Sequence, residues 1–262
     1  MELPKLRRKG RLDPVSENTM KAYRQSWTLF SRWLDSRQPT WEFAQEWLQE
    51  ILEGRSPTTV MMYGNALRRI LPAMGVPKPS EDYELLLPGR VKRVPKYLDE
   101  EELRRVIAAC STPLELCLVL VLVDTGLRIS ELLALTTRDV DFENRFIFAH
   151  REKVQKESWI PISEGALAAI KEYMSWRESK RMSLFPFAYR DAYQILKAVG
   201  AKAGVALHPH LLRHTAAALR RIKHDQPIQD LQELLGHTSI STTQIYSAIS
   251  PRDLQEKIKP VF

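Results

Sequence analysis

Pro209-His210-Leu211-Leu212-Arg213-His214, followed by Leu235-Gly236-His237-Thr238-Ser239-Ile240-Ser241-Thr242-Thr243-Gln244-Ile245-Tyr246, is the stretch on which the fold of this chain turns. It spaces imidazoles, a guanidinium and a phenol along short helical segments that can converge on one point. A second arginine stands upstream in Thr125-Gly126-Leu127-Arg128-Ile129-Ser130-Glu131, and a lysine-bearing turn surrounds Lys153. Attack on a phosphodiester without a metal needs a nucleophile, positive charge for the equatorial oxygens and an acid for the leaving alkoxide. Arg128 and Arg213 suit the charge, because a guanidinium forks onto two phosphate oxygens and stays protonated at any working pH. His210 and His237 can bond the phosphate or shuttle a proton. Tyr246 offers an oxygen for a covalent phosphotyrosine, and Lys153 a proton for the departing 5′ oxygen.

Each of these residues also has a plainer role open to it. Arg128 follows a helix-ending glycine and can cap a helix or pair with Glu131. His210 can cap the helix that Pro209 begins, and Arg213-His214 can be a surface pair. His237 suits a turn after Gly236, and Tyr246 suits a core. It is the order and spacing of the set, more than any member, that points to phosphodiester chemistry.

Outward from this stretch, the rest of the sequence is compatible with a polyanionic partner. Net charge is +7, with an isoelectric point near 9.4. Residues 1–95 carry 16 Lys+Arg against 11 Asp+Glu, so most of the excess lies there. A chain of 262 residues, 44% hydrophobic and 27% charged, is ordinary for a folded protein and long enough for two domains. No apolar run reaches membrane length and no apolar signal core follows the basic N-terminus, so no membrane and a cytoplasmic (nucleoid) location are expected. Cys110 and Cys117 lie about 10 Å apart along a helix, too far for a disulfide, and are expected as small buried residues. No metal-ligand spacing occurs, so no metal site is expected.

Helical periodicity predicts a basic N-terminal stretch over 1–15 and a helical domain over 16–88. Tyr23, Trp27, Phe30, Trp33 and Leu34 line one helix; Thr40 caps a second, and Ser56-Pro57 opens a third. A short helix around Asp82 to Leu87 is expected to complete the unit. Helical spacing assigns the aromatics to the core, leaving Arg24, Arg32, Arg68 and Arg69 as candidates for phosphate contact. Residues 89–97 read as a linker whose Arg90, Lys92 and Arg93 can follow a phosphate backbone.

The second domain, 98–249, opens with the capping box Asp99-x-x-Glu102. Thr112-Pro113 starts an apolar helix that stops at Gly126. Two β-prone runs, Phe146 to Phe148 and Trp159 to Ile162, flank a turn expected to hold Arg151, Lys153 and Lys156. Ser163 caps a further helix, and helices follow over about 189–203, 210–222, 227–235 and 239–248.

Thr-Gly-Leu-Arg-Ile-Ser-Glu-Leu, Pro-His-Leu-Leu-Arg-His and Leu-Gly-His-x-Ser-Ile-x-Thr-Thr-x-x-Tyr resemble the motifs of the tyrosine recombinases, the phage integrase family, and most the compact Xer-type and simple integrases. The family pattern of Arg, Lys, His-x-x-Arg, His/Trp and Tyr falls on Arg128, Lys153, His210, Arg213, His237 and Tyr246, with Glu131 in support. The resemblance is strong from about 97 to 250 and a matter of pattern alone over 12–88. The hairpin departs from the family: Glu152-Lys153-Val154-Gln155-Lys156-Glu157-Ser158 lacks the usual glycines, so Lys156 remains a rival to Lys153 and is also a DNA-contact candidate.

The resemblance implies a mainly α protein of two domains forming a C-shaped clamp on DNA. One would be a helical, SAM-like core-binding domain, the other a mixed α/β catalytic domain with a small antiparallel sheet. It implies site-specific cleavage and rejoining of double-stranded DNA through a 3′-phosphotyrosine and a Holliday junction, without metal or ATP. Four protomers would bridge two sites by exchanging the tail 250–262, alone or with a paralogous recombinase or accessory factor. The biological outcome would be Xer-like dimer resolution or mobile-element integration. A type IB topoisomerase-like nicking-closing enzyme and a catalytically silent DNA-binding regulator are the alternatives.

Overall fold

In the computed structural model the described residues are 3–4, 6, 15–89, 95–151, 156–178, 181–223 and 227–235. The chain divides into two compact units, Met1–Lys92 and Arg93–Phe262. The first holds α1 (Glu17–Leu34), α2 (Trp41–Leu52) and α3 (Pro57–Ala73). Their starts are set locally: Ser16, Thr40 and Ser56 each accept a backbone N–H three residues on. Trp27, Phe30, Trp41, Trp47 and Tyr63 are buried, and Trp47 stacks on Tyr63 with ring centroids 5.6 Å apart. The aromatics of this unit are therefore core, as their spacing predicts.

The helix expected at 82–87 does not form. After a turn at Glu81-Asp82 the chain is irregular and lies on α2 and α3, its backbone bonded to side chains. The Leu86 N–H donates to Gln45 Oε1 at 2.6 Å and the Arg68 guanidinium donates to the Leu85 carbonyl at 2.6 Å. Leu85 is buried by this arrangement. Two long polar side chains satisfy the groups a helix would have paired internally.

The second unit runs α4 (Glu100–Ala108), α5 (Pro113–Thr125), α6 (Ile129–Leu133), a 3₁₀ turn (Thr137–Asp139), β1 (Val140–Asp141), β2 (Phe146–Arg151), β3 (Lys156–Pro161), α7 (Glu164–Trp176), α8 (Tyr189–Ala203), α9 (Pro209–Lys223) and α10 (Ile228–Leu235). The strands form an antiparallel sheet in the order β1-β2-β3. Arg151 and Lys156, expected in the turn, are instead the last ladder pair. Ile147, Ala149 and Ile160 are buried on one face, while Trp159 is exposed on the other against Phe148. α5 is apolar all round because α7, α8 and α9 all pack on it. Cys117 is buried and Cys110 half-buried, both free thiols. No helix among the described residues is long and apolar enough to cross a membrane.

The connection from α8 to α9 is tight. Gly204 ends α8 in the left-handed region (φ 69°), and the Val205 N–H returns to the Gly200 carbonyl at 2.8 Å. A Cβ on Gly200 would stand 2.5 Å from both the Leu207 Cβ and the Val205 oxygen. Gly200→Ala is therefore expected to destabilise the fold by about 3 kcal/mol, the upper range for overpacking. Urea unfolding, read by the unfolding midpoint against wild type, checks this.

Candidate active site

α5 ends at Gly126, in the left-handed region with φ 64°, its N–H bonded to the Leu122 carbonyl. Thr125 braces the turn: its hydroxyl donates to the Val121 carbonyl at 2.6 Å and accepts from the Leu127 N–H at 3.3 Å. Leu127, buried, anchors the next residue, and Arg128 becomes the N-cap of α6. Glu131 closes that cap from the third helical position, accepting the Arg128 N–H at 2.8 Å through Oε2 and its guanidinium at 2.6 Å through Oε1. The expected pairing of Arg128 with Glu131 is thus present, and it orients the guanidinium as well as the backbone.

Arg213 reaches the same carboxylate from α9. Its side chain is 6% exposed, with Nη1 3.9 Å from Glu131 Oε2. Nη1 also donates to the Gly126 carbonyl and Nη2 to the Leu235 carbonyl, both at 2.5 Å. One arginine therefore holds the turn that delivers Arg128 and the residue two places before His237. Burial with three oxygens around it is incompatible with an ordinary surface pair. Two guanidiniums on one carboxylate leave the trio net positive, as an anion site requires.

His210 lies one turn before Arg213 on α9 and is exposed. It does not cap the helix. His208 does, accepting the Leu211 N–H on Nδ1 at 3.1 Å, with Pro209 as first helical residue. A polar residue before a helix-opening proline is a recognisable cap signal that motif reasoning passed over. Thr215, buried, ties α9 to the head of the unit by accepting the Leu98 N–H at 2.9 Å. The structure thus brings together Arg128, Glu131 and Arg213, with His210 on the same helix.

Lys153, His237 and Tyr246 lie outside the described residues, as do Arg90, Lys92 and Arg93 and the helix expected at 239–248. In the first unit Arg24 pairs with Glu17 at 2.8 Å and Arg68 with Glu84 at 3.3 Å, while Arg32 is exposed near the end of α1. Arg69 lies on α3 next to Arg68. Among the described residues, no cluster of three or more His, Cys, Asp or Glu is placed to hold a metal ion.

Residues 96–252 match the phage integrase family. The tyrosine recombinase XerA of Pyrococcus furiosus is 33% identical, over 95% of this chain and 89% of that one. Among solved structures the chain resembles XerA recombinase at 26% identity and a TM-score of 0.58, covering 92% of this chain and 91% of that one. The fold also resembles that of XerH site-specific recombinase bound to difH substrate, at 21% identity and a TM-score of 0.72, covering 90% and 77%. The chain belongs to the phage integrase family. Its relatives group it with the Xer-like tyrosine recombinases, enzymes of site-specific recombination.

His214, half-buried on α9, has its pKa pushed down to about 4 from an ordinary 6.5, by burial first and then by His210, Arg213 and His208. A depressed folded value means that the unfolded chain binds the proton more readily. The stabilising difference is complete above pH 6.5 and lost as pH falls through about 4. Unfolding free energy should therefore drop across that window, and His214→Gln should flatten the drop in denaturant titrations at pH 7, 5.5 and 4.

Proposed function

We propose that this enzyme cuts and rejoins duplex DNA at specific sites through a covalent 3′-phosphotyrosine on Tyr246. The observation that carries the proposal is the pair of guanidiniums, Arg128 and Arg213, fixed on one buried carboxylate. Residues 98–249 would form the catalytic domain and 16–88 the DNA-binding domain. Arg24, Arg32, Arg68, Arg69, Arg90, Lys92, Arg93 and Lys156 are the candidate backbone contacts, giving an affinity that falls with salt.

In the proposed cycle the Tyr246 oxygen attacks the scissile phosphorus and loses its proton to His210 or His237. The bond to the 5′ oxygen breaks, and that oxygen takes a proton from Lys153, with Lys156 as the rival donor. Arg128 and Arg213 hold the equatorial oxygens as charge builds; loss of either is expected to slow cleavage by about 10²–10³-fold, the scale of one oxyanion donor. A 5′-hydroxyl from a partner duplex then attacks the adduct, releases the tyrosine and forms a Holliday junction, which a second round resolves. The bond energy stays in the adduct, so no nucleotide is needed.

Four protomers on two sites would coordinate the rounds by exchanging the tail 250–262, with Leu254, Ile258, Val261 and Phe262 as anchors. Such head-to-tail contacts must close into a ring. Truncation after Ile249 should then impair strand exchange, and a truncated chain that recombines as wild type would refute tail exchange. Relaxation of supercoiled plasmid without strand exchange would instead favour the topoisomerase-like alternative.

Covalent trapping on nicked duplexes drawn from DNA flanking the gene tests the chemistry. A denaturation-resistant adduct with wild type, absent with Tyr246→Phe, is the expected outcome. No adduct on any duplex that the protein binds would count for a silent DNA-binding regulator.

A further inference from the structure

A second arginine on α9 makes contacts that the recombination chemistry does not call for. Arg220 lies seven residues, two turns, beyond Arg213 and so on the same helix face. Its Nη2 donates to the Asp124 carbonyl and its Nη1 to the Val123 carbonyl at 3.5 Å, the open carbonyl end of α5. Nη2 also lies 3.9 Å from Asp124 Oδ1. The other oxygen of Asp124, Oδ2, accepts the Ser163 N–H at 2.5 Å. Ser163 is the N-cap of α7, two residues after β3 ends.

Two elements that deliver site residues, α5 and α9, meet at this node with the head of α7. α5 leads directly into Thr125–Arg128. α9 carries His210 and Arg213. α7 follows β3 after a single intervening residue pair, so its head fixes where that strand ends. Arg220 is largely buried, and burial pulls its pKa below the ordinary arginine value while Asp124 pulls it back up. A cation at a helix C-terminus is also stabilised by the exposed carbonyls there. The node touches no atom assigned to the chemistry, and it sits one residue before the turn that aims Arg128.

We infer that Asp124 and Arg220 are positioning residues for the active site, locking the end of α5, the head of α7 and α9 into the register that keeps Arg128 and Arg213 on one phosphate. This rests on the recombinase function proposed above. Arg220 acts through the backbone of the Thr125–Arg128 turn, where a displacement near 1 Å is enough to cost about a hundredfold in rate. Lysine in its place keeps a charge for the carbonyls and loses only the fork.

The test compares wild type, Arg220→Gln, Arg220→Lys and Asp124→Asn in first-turnover cleavage on a nicked duplex, DNA affinity, and amide hydrogen exchange at Leu127 and Arg128. Arg220→Gln is expected to slow cleavage at least tenfold with affinity within twofold of wild type, and to speed exchange of those two amides. Arg220→Lys is expected to recover most of the rate, and Asp124→Asn to fall between. In an Arg128→Lys background, Arg220→Gln should cost less than about threefold more, since both changes act through one group. Wild-type cleavage and exchange in Arg220→Gln overturns the inference. So does a loss that Arg220→Lys fails to recover and that adds fully to Arg128→Lys, because that is the behaviour of a general loss of stability. Failure of the wild-type chain to cleave any bound duplex counts against the recombinase proposal alone, since amide exchange still decides the role of the node.

Discussion

The Glu131 carboxylate is the contact around which the second unit is arranged. It is 7% exposed, and its two oxygens meet the Arg128 backbone, the Arg128 guanidinium and the edge of Arg213. A buried carboxylate is unfavourable unless paired and hydrogen-bonded, and a guanidinium is unfavourable without an acceptor. Each group therefore specifies where the others must be. Removal of the carboxylate would leave two guanidiniums facing each other across a turn, and removal of Arg213 would free the Gly126 and Leu235 carbonyls in the interior. The elements that converge here, α5, α6, α9 and α10, are joined by polar contacts set in an otherwise apolar core.

Much of the architecture is legible in the sequence because its signals are local. Thr40, Ser56-Pro57, Asp99 with Glu102, Thr112-Pro113 and Ser163 each announce a helix start within four residues, and every one caps in the structure. The Thr-Gly-Leu-Arg motif is legible for the same reason: a hydroxyl, a left-handed glycine and a buried leucine act within one turn of chain. What escaped depends on distant partners. The stretch after Asp82 carries helix-compatible residues, yet Gln45 and Arg68, 41 and 17 residues away, bond its backbone instead. β1 is two residues long and exists only because β2 offers it an edge.

The site divides along the same line. Arg128, Glu131, His210 and Arg213 follow from motif and spacing, since a step of three on a helix fixes a shared face. His208 as the cap of α9 is readable from His-Pro at a helix start. Asp124 and Arg220 were not readable. Their meeting spans 96 residues, and neither stands in a pattern that marks it. A side chain whose only task is to hold another segment's carbonyls leaves no local trace.

Arg213 also bears on the cost of building an anion site. Gathering cations in one place before the anion arrives ordinarily opposes folding, because like charges repel most strongly where water is scarce. Here its charge is matched by one carboxylate and by carbonyls of two segments that must be fixed in any case. Part of the repulsion is offset when the chain folds. In the proposed chemistry a phosphate there would meet dipoles and charges already oriented, leaving little rearrangement for the moment of reaction.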